Sequence, residues 1–335
     1  MKNYTPPAKR AARMQTAPHL TVDLQAPAAR RWRFDATQTQ QARTLLDAYE
    51  RDLGLARTAA DLLVDTLDAM LPADLRAEHD AVAEALAVPR QRVLLASGYY
   101  DAMKAVLGCS AFAVDHGDGV LHGRNLDWWT ADGLLRDATL VTRFVGAPAG
   151  EFTTVGWPGF LGVFSAVAKG RFAVTLNSVL SDDPPQVALP VVLLLRQVLA
   201  TAPDFATAVA TLAATPIPCD CLLLVTGTRR GERVVIERTP GRHALRRATG
   251  PLVVTNDYRQ LGAPAAGTAS ESPIAATSCG RYDALQAELG QAPLRELAAC
   301  LRPLAQPAVR MTITVQHMAF HAQSGAYAVQ LPPAV

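Results

Sequence analysis

The segment that decides the fold runs from Cys109 to Trp129 and reads CSAFAVDHGDGVLHGRNLDWW. Upstream, from Thr37 to about Val106, apolar residues recur at three- and four-residue spacing, which is typical of amphipathic helices. From Cys109 onward the pattern is that of two strands separated by an Asp-Gly turn, which predicts a hairpin. A helical region therefore gives way to a sheet at this cysteine.

Strand-like and helix-like segments follow the hairpin in groups. Before it, residues 19–24 and 31–34 are predicted as short strands. After its two strands (110–115 and 119–126), the predicted order is strands at 139–144, 161–167 and 171–177, helices at 187–201 and 204–213, strands at 221–226, 233–238 and 252–255, helices at 281–289 and 294–301, and strands at 311–317 and 327–331. This order predicts a layered α+β structure with helices packed outside two sheets.

Composition limits the classes of function. Of 335 residues, 50% are apolar, and the mean hydropathy of +0.11 supplies a sizeable core and excludes disorder over most of the chain. A formal charge of +2 argues against nucleic-acid binding by bulk electrostatics. Five cysteines are too few and of the wrong parity for a disulfide framework. With neither a signal-like apolar run nor a bilayer-length segment, we expect a soluble, cytoplasmic protein.

Cys109 follows Gly108 directly, at the start of a predicted strand. Cutting the bond between them would give Cys109 both a thiol and an α-amine, whose pKa of roughly 7.7–8.0 lets it accept the thiol proton near neutral pH. The hairpin would return Arg124 and Asp127 to the side of the sulfur. There we expect the guanidinium to lower the thiol pKa and the carboxylate to orient the α-amine and pair with the guanidinium. The alternatives are a structural cysteine and a surface ion pair.

The residues in and after the hairpin resemble the start of the mature catalytic chain in N-terminal-nucleophile (Ntn) amidases. That family includes acid ceramidase, N-acylethanolamine-hydrolysing acid amidase and, more distantly, penicillin V acylase and bile-salt hydrolase. The most specific element is Arg124-Asn125-Leu126-Asp127. The similarity also covers, in chain order, residues 22–24, 30–32, 156–162, 174–177, 253–258, 312–315 and 325–327.

The resemblance implies a four-layer αββα sandwich made as a self-cleaving proenzyme. Residues 1–108 would form a mostly helical N-terminal pro-segment, and residues 109–335 the catalytic domain. Cleavage would fall between Gly108 and Cys109, and the new N-terminal cysteine would be the nucleophile. The two cleaved segments would remain partners of each other.

Other site residues follow from positions that match the family's motifs. Arg124 and Asp127 match the charged pair beside the nucleophile, Asn256 matches a Thr-Asn element, and Asn177 lies on a matching Thr-Leu-Asn strand. Asparagine amides suit an oxyanion hole because they donate hydrogen bonds without adding charge. Asn256 is the first choice for this donor and Asn177 the second, although an asparagine at a strand end also commonly caps a turn.

Two departures from the family concern charged residues. Ser178 stands where the acid-type lipid amidases have a glutamate, and residues 270–273 replace an Asp-Asp-Arg-Arg-Thr-Pro stretch. Either Arg259 or Arg281 could replace the lost arginine, and spacing does not choose between them. These departures leave open whether the substrate identity and the low-pH activation of the animal enzymes carry over.

Four aromatic residues lie at the end of the hairpin segment or downstream of it: Trp128, Trp129, Trp157 and Phe160. They are either ordinary core residues or the lining of an apolar acyl-binding pocket, since binding sites combine aromatic walls with a few polar groups. The Cys219-Asp220-Cys221 and His317/His321 pairs lack the partners of a metal site. No metal and no cofactor are assigned.

The sequence thus predicts a cysteine amidohydrolase that cleaves the linear C–N bond of an N-acyl amide with a lipophilic acyl group. One alternative is an acyltransferase that uses the same acyl-enzyme to form an amide. Another is a catalytically inactive, lipid-binding homologue. The expected partner is a small-molecule N-acyl amide, with no nucleic acid and no transmembrane segment; peripheral membrane contact stays open. The sequence does not identify the acyl chain or the amine.

Overall fold

The computed structural model describes residues 17–54, 57–103, 107–128, 133–262 and 273–333, with side chains for all of these except 57–59 and 273–275. The strands in these ranges are β1 (His19–Asp23), β2 (Leu107–His116), β3 (Gly119–Trp128), β4 (Leu140–Val145), β5 (Phe152–Gly156), β6 (Ser165–Ala168), β7 (Phe172–Asn177), β8 (Cys221–Thr226), β9 (Arg233–Arg238), β10 (His243–Arg246), β11 (Leu252–Val254), β12 (Thr314–His321) and β13 (Ala326–Gln330).

The helices in the same ranges are α1 (Ala28–Arg31), α2 (Ala36–Leu53), α3 (Arg57–Met70), α4 (Ala73–Leu86), α5 (Arg90–Met103), α6 (Leu134–Asp137), α7 (Val191–Thr201), α8 (Phe205–Ala214), α9 (Pro273–Gln291) and α10 (Leu301–Leu304), the last preceded by a 3-10 turn (Ala298–Cys300).

Two sheets organise the molecule. The larger has the strand order β1-β4-β5-β6-β7-β8-β9-β10, and the smaller has the order β11-β2-β3-β12-β13. Neighbouring strands are antiparallel, except that β1 runs parallel to β4 at the edge of the larger sheet. The N-terminal region thus contributes a strand to the larger sheet as well as helices.

Three groups of buried side chains show how the layers stack. Between the sheets, Ala111 of β2 packs with Leu222 and Val235 of the larger sheet. Outside the smaller sheet, Phe112 packs against α9 and α10, and outside the larger sheet α7 and α8 cover the opposite face. The order is helix, sheet, sheet, helix, so the predicted four-layer αββα architecture is confirmed.

Local chemistry corrects parts of the predicted secondary structure. Residues 31–34 are not a strand: Pro27 precedes the short helix α1, and Trp32 stacks on Phe34 beyond its end. Helix α7 begins at Val191 rather than at 187, because Pro190 supplies the fixed φ of a helix start. Strands β5 and β10 were not predicted. No helix of the described residues is long and apolar enough to cross a membrane.

Candidate active site

The predicted hairpin is present, and its register sets the site. β2 and β3 pair across a two-residue turn, with Gly108 opposite Asp127 and Ala111 opposite Arg124. Side chains alternate between the faces of a strand, so residues three apart point to opposite faces. Arg124 therefore lies on the Cys109 face of the hairpin, and Asp127 lies on the Gly108 face.

This alternation corrects the expected ion pair between Arg124 and Asp127. Arg124 is fully buried, and its Nη1 donates to Asn177 Oδ1 at 2.5 Å, across the gap between the two sheets. Asn177 Nδ2 in turn donates to the carbonyl oxygens of Val254 and Thr255 at 3.3 and 2.9 Å. Since both amide hydrogens of Asn177 are engaged, its geometry suits the positioning of Arg124.

Cys109 is buried, and its sulfur lies at the end of β7. The thiol donates to the carbonyl oxygen of Leu176 at 3.6 Å. Burial raises the pKa of the Cys109 thiol above its usual range, while the positive charge of Arg124 opposes that rise. Arg124 thus lowers the thiol pKa, as expected. The expectation of a lowered net pKa is wrong, because the cost of desolvating the thiolate outweighs the effect of Arg124.

Asn256 reaches Cys109 through strand register. β11 pairs with β2 so that Val254 is opposite Ala111, and two residues further on Asn256 comes opposite Cys109. There the Cys109 N–H donates to Asn256 Oδ1 at 3.0 Å, and Asn256 Nδ2 donates to the carbonyl oxygen of Ser178 at 2.7 Å. The side-chain amide continues the ladder beyond the last backbone pair.

Arg281 of α9 is the arginine at the site. Its Nη1 donates to the Cys109 carbonyl oxygen at 2.7 Å and to Ser110 Oγ at 2.8 Å, and its Nη2 donates to Asn256 Oδ1 at 2.8 Å. Arg259, the other arginine that the sequence left open, pairs instead with Asp257 and lies over the Tyr282 ring. Burial lowers the pKa of Arg281, an effect that Asp127 opposes.

Buried polar atoms without partners cluster around the Gly108–Cys109 bond. Among the described residues, Asp127 Oδ2 and the Nε and Nη2 atoms of Arg124 have no hydrogen-bond partner. A Cβ placed on Gly108 would lie 3.5 Å from Asp127 Oδ2, so this oxygen sits beside the residue before the cysteine. Because unsatisfied buried groups are costly, these three atoms require an explanation, and a role at a functional site is one.

Gly108 is required by close packing. A Cβ there would lie 3.0 Å from both Asp127 Cβ and Met311 Sδ. We expect Gly108→Ala to displace Asp127 and to destabilise the intact chain by about 1–3 kcal/mol. The proposed cleavage before Cys109 should become at least tenfold slower, as measured by denaturing electrophoresis. Gly156→Ala, at the end of β5, is the control for a glycine exchange in a strand, since a Cβ there meets nothing within 4 Å and its φ is not positive. Unchanged cleavage in Gly108→Ala would contradict this role for the glycine.

The predicted aromatic cluster forms part of the core. The Trp128 ring centroid lies 5.4 Å from that of Trp157, and Trp157 lies 6.1 Å from Phe160, with all three rings buried. Trp129 lies outside the described residues. Contact between these aromatic residues and substrate stays a prediction.

An apolar groove lies elsewhere, between α3, the end of α5 and the loop before α7. Its volume is about 260 Å³, and its lining includes Leu67, Met70 and Pro190 but none of the described aromatic residues of the predicted pocket. Leu62 and Val187 stand at this part of the surface with 68% and 76% of their area exposed. The groove joins helices of the N-terminal region to the loop that follows β7.

Comparison with known proteins finds homologues named as N-acylethanolamine-hydrolyzing acid amidases. The chain is 27% identical over 241 residues to the N-acylethanolamine-hydrolyzing acid amidase of Cavia porcellus, a match that covers 67% of this chain and 66% of the relative. It is 28% identical over 192 residues to the Rattus norvegicus protein of the same name, covering 53% and 51%. The chain therefore spans between half and two thirds of the length of these relatives. No family model matches it.

Among solved structures, the Caenorhabditis elegans N-acylethanolamine-hydrolyzing acid amidase ortholog aligns with a TM-score of 0.53 at 20% identity, over 67% of this chain and 100% of that one. The chain has the Ntn-hydrolase fold. The resemblance to the acid ceramidase and N-acylethanolamine-hydrolysing acid amidase type of Ntn hydrolase is confirmed. At this site, sequence reasoning left Arg281 undecided and missed Ser278, whose hydroxyl accepts the Asn256 N–H at 2.8 Å.

Proposed function

We propose that this Ntn hydrolase is a self-processing cysteine amidohydrolase that cleaves the C–N bond of N-acyl amides. The observation that carries the proposal is the convergence of Arg124, Asn256, Arg281 and Asp127 on the Gly108–Cys109 bond. Homology to N-acylethanolamine-hydrolyzing acid amidases supports the reaction class. The outline of activation and turnover follows from the chemistry of an N-terminal cysteine.

Activation is an intramolecular acyl shift. The Cys109 sulfur attacks the Gly108 carbonyl carbon, and the C–N bond breaks as the nitrogen takes a proton and becomes the α-amine. Gly108 is then held as a thioester on the sulfur. Water hydrolyses that thioester, which leaves a carboxylate on Gly108 and restores the thiol. The Asp127 oxygen beside Gly108 is positioned to hold the new α-ammonium group.

In turnover the α-amine of Cys109 serves as the base. It takes the thiol proton, the thiolate attacks the substrate carbonyl carbon, and the α-ammonium returns the proton to the departing amine. Water, deprotonated by the α-amine, then cleaves the acyl-thioester and releases a carboxylic acid. Arg124 supplies positive charge to the thiolate, since its interaction lowers the thiol pKa against the effect of burial.

Asn256 is assigned as the oxyanion donor. Its Oδ1 is anchored by the Cys109 N–H and by Arg281, which orients the amide nitrogen. One hydrogen of Asn256 Nδ2 is donated to the Ser178 carbonyl oxygen, and the other is assigned as the neutral donor to the oxyanion once Cys109 is a chain terminus. Asn177 positions Arg124 in this scheme, because both of its amide hydrogens are already engaged.

The apolar groove is our candidate for contact with a lipophilic acyl group. Its lining includes Leu67, Met70 and Asp101 of the helices that precede β2. Burial of acyl carbons in such a groove contributes about 0.8 kcal/mol per CH₂ group. Affinity should therefore rise with acyl length until the groove is filled.

Hydrolysis is tested by product analysis on cleaved protein. N-acylethanolamines, N-acyl amino acids, ceramides and penicillin V are incubated separately, and free acid and amine are measured. A competing primary amine separates hydrolysis from acyl transfer: hydrolysis yields mainly free acid, whereas transfer yields a new amide. An intact chain that binds these lipids without releasing either product would favour the inactive, lipid-binding alternative. The cytoplasmic location stays a prediction.

A buried ion cluster is the proposed link between the two cleaved segments. Glu78 of α4 is fully buried and accepts from Arg31 Nη1 at 2.6 Å and from Arg196 Nη2 at 2.8 Å. Arg196 comes from α7 of the catalytic part, and its guanidinium also lies 4.3 Å from the Phe144 ring centroid. One carboxylate thus joins both sides of the proposed cleavage point.

Glu78→Gln should weaken this link strongly. Removing one partner of a buried ion pair leaves uncompensated charge, and we expect a loss of about 3–5 kcal/mol in the free energy of unfolding measured in urea. Gel filtration of the cleaved variant should then separate segments that co-elute in the wild type. Glu50→Gln, in the more exposed pair with Arg92, should cost about 1 kcal/mol or less. Equal losses in the two variants would contradict the assignment.

A further inference from the structure

Thr314 stands out among the residues around Asp127. It is the first residue of β12, directly opposite Asp127 on β3, and it is buried. Its Oγ1 donates to Asp127 Oδ1 at 2.5 Å. The register of β12 shifts between Thr314 and Gln316, a β-bulge of the kind that re-aims a side chain next to a site.

The direction of the hydroxyl hydrogen is fixed by a second contact. The Met311 N–H donates to Thr314 Oγ1 at 2.9 Å, and a backbone N–H can only donate. The Thr314 hydrogen is therefore directed to Asp127 Oδ1. If Asp127 were protonated on that oxygen, two hydrogens would point at Thr314 Oγ1 and its own hydrogen would lose its acceptor. Oδ1 is accordingly held as an acceptor, and a donated hydroxyl hydrogen stabilises the ionised carboxylate more than the neutral acid.

The same hydrogen bond fixes the position of the carboxylate. With Oδ1 held by Thr314, Oδ2 is the oxygen beside Gly108, and it has no hydrogen-bond partner among the described residues. We propose that Thr314 is the positioning residue that keeps the Asp127 carboxylate ionised and directed at the Gly108–Cys109 bond. This rests on the proposed function in so far as that carboxylate serves cleavage and then the α-amine.

Electrostatics around Asp127 give the expected pH dependence. The charged and titratable groups that interact with Asp127 are Arg281 on α9, Arg124 on β3 and the Cys109 thiol on β2. Burial raises the pKa of Asp127 above its usual range, and Arg281, the Thr314 hydroxyl and Arg124 each oppose that rise without cancelling it. Loss of the hydroxyl should therefore raise this pKa further. A function that needs the carboxylate would then lose activity at a higher pH as the solution is acidified.

The test compares Thr314→Val with Thr314→Ser. In the uncleavable Cys109→Ala background, the Asp127 carboxyl is titrated by carbon-13 NMR on aspartate-labelled protein, with Asp127→Asn identifying the signal. We expect valine to raise this pKa by about one unit and serine to leave it near the wild-type value. With Cys109 present, the pH at which acidification slows cleavage should rise by a similar amount in Thr314→Val. It should stay near the wild-type pH in Thr314→Ser.

Thr226→Val is the matched control, since it removes a buried hydroxyl that bonds His122 instead. This variant should leave unchanged both the Asp127 pKa and the pH at which acidification slows cleavage. A Thr314→Val protein that loses thermal stability while the Asp127 pKa stays constant would overturn the proposal. If the NMR shift occurs but the wild type never cleaves, the role of Thr314 in holding the carboxylate ionised stands, and the proposed function fails instead.

Discussion

Cys109→Ala should remain a single full-length chain and should not hydrolyse any N-acyl amide. The exchange removes the sulfur that, in the proposed mechanism, attacks both the Gly108 carbonyl and the substrate. We expect a loss on the order of 10⁴-fold or more in kcat/KM. Cleavage is measured by mass spectrometry after prolonged incubation, and turnover by release of free fatty acid. The fold should persist, because the exchange removes only the sulfur atom from the packing around residue 109.

Two controls isolate the role of the sulfur. Cys300→Ala removes another buried thiol, one that packs against α9 and α10 in the outer layer, and it should cleave and turn over like the wild type. Cys109→Ser keeps a weaker nucleophile at the same atom position and should cleave slowly. A Cys109→Ala protein that still cleaves before residue 109 would show that another group carries the attack.

Asn256→Asp should lower kcat by about 100- to 1,000-fold, which is the usual effect of losing one oxyanion donor. The exchange keeps an oxygen to accept from Arg281 but replaces the Nδ2 donor with a second oxygen. It also puts negative charge where the proposed mechanism places the oxyanion. Steady-state kinetics on protein that has already been cleaved should place the loss in kcat rather than in KM.

Asn125→Asp is the matched exchange at a buried asparagine of the neighbouring strand. The side chain of Asn125 bonds the Leu304 carbonyl and His317, on the side of the outer helices. The Asn125→Asp protein should lose stability yet keep most of its kcat per folded molecule. Similar losses of kcat in both variants would mean that Asn256 acts through structure alone.

The hairpin and the layer order were predictable from sequence because both depend on local signals. The Asp-Gly turn fixed the antiparallel pairing that brings Arg124 and Asp127 back to Cys109, and grouped helical and strand periods indicated the layers. Side-chain alternation was equally available, and it argues against the expected Arg124–Asp127 pair. That prediction was wrong because it counted residues along the strand without assigning them to faces.

Other features depend on long-range register that the sequence does not display. Asn256 meets Cys109 only because β11 is the neighbour of β2, and Arg281 meets them only because α9 crosses that end of the sheet. The net shift of the thiol pKa follows from burial, which a list of nearby charges does not reveal. Residues 312–315 belong to the family resemblance, but nothing in the sequence singled out Thr314, since a bulge in β12 aims it.

The most direct measurement is the intact mass of the purified wild type, combined with sequencing of any new N-terminus. If Cys109 becomes a chain terminus, two polypeptides should appear whose masses sum to that of the chain plus one water, and the larger should begin with Cys-Ser. Cys109→Ala should show only the 35.7 kDa chain. A wild type that stays at full length at every pH while it hydrolyses amides would contradict the account.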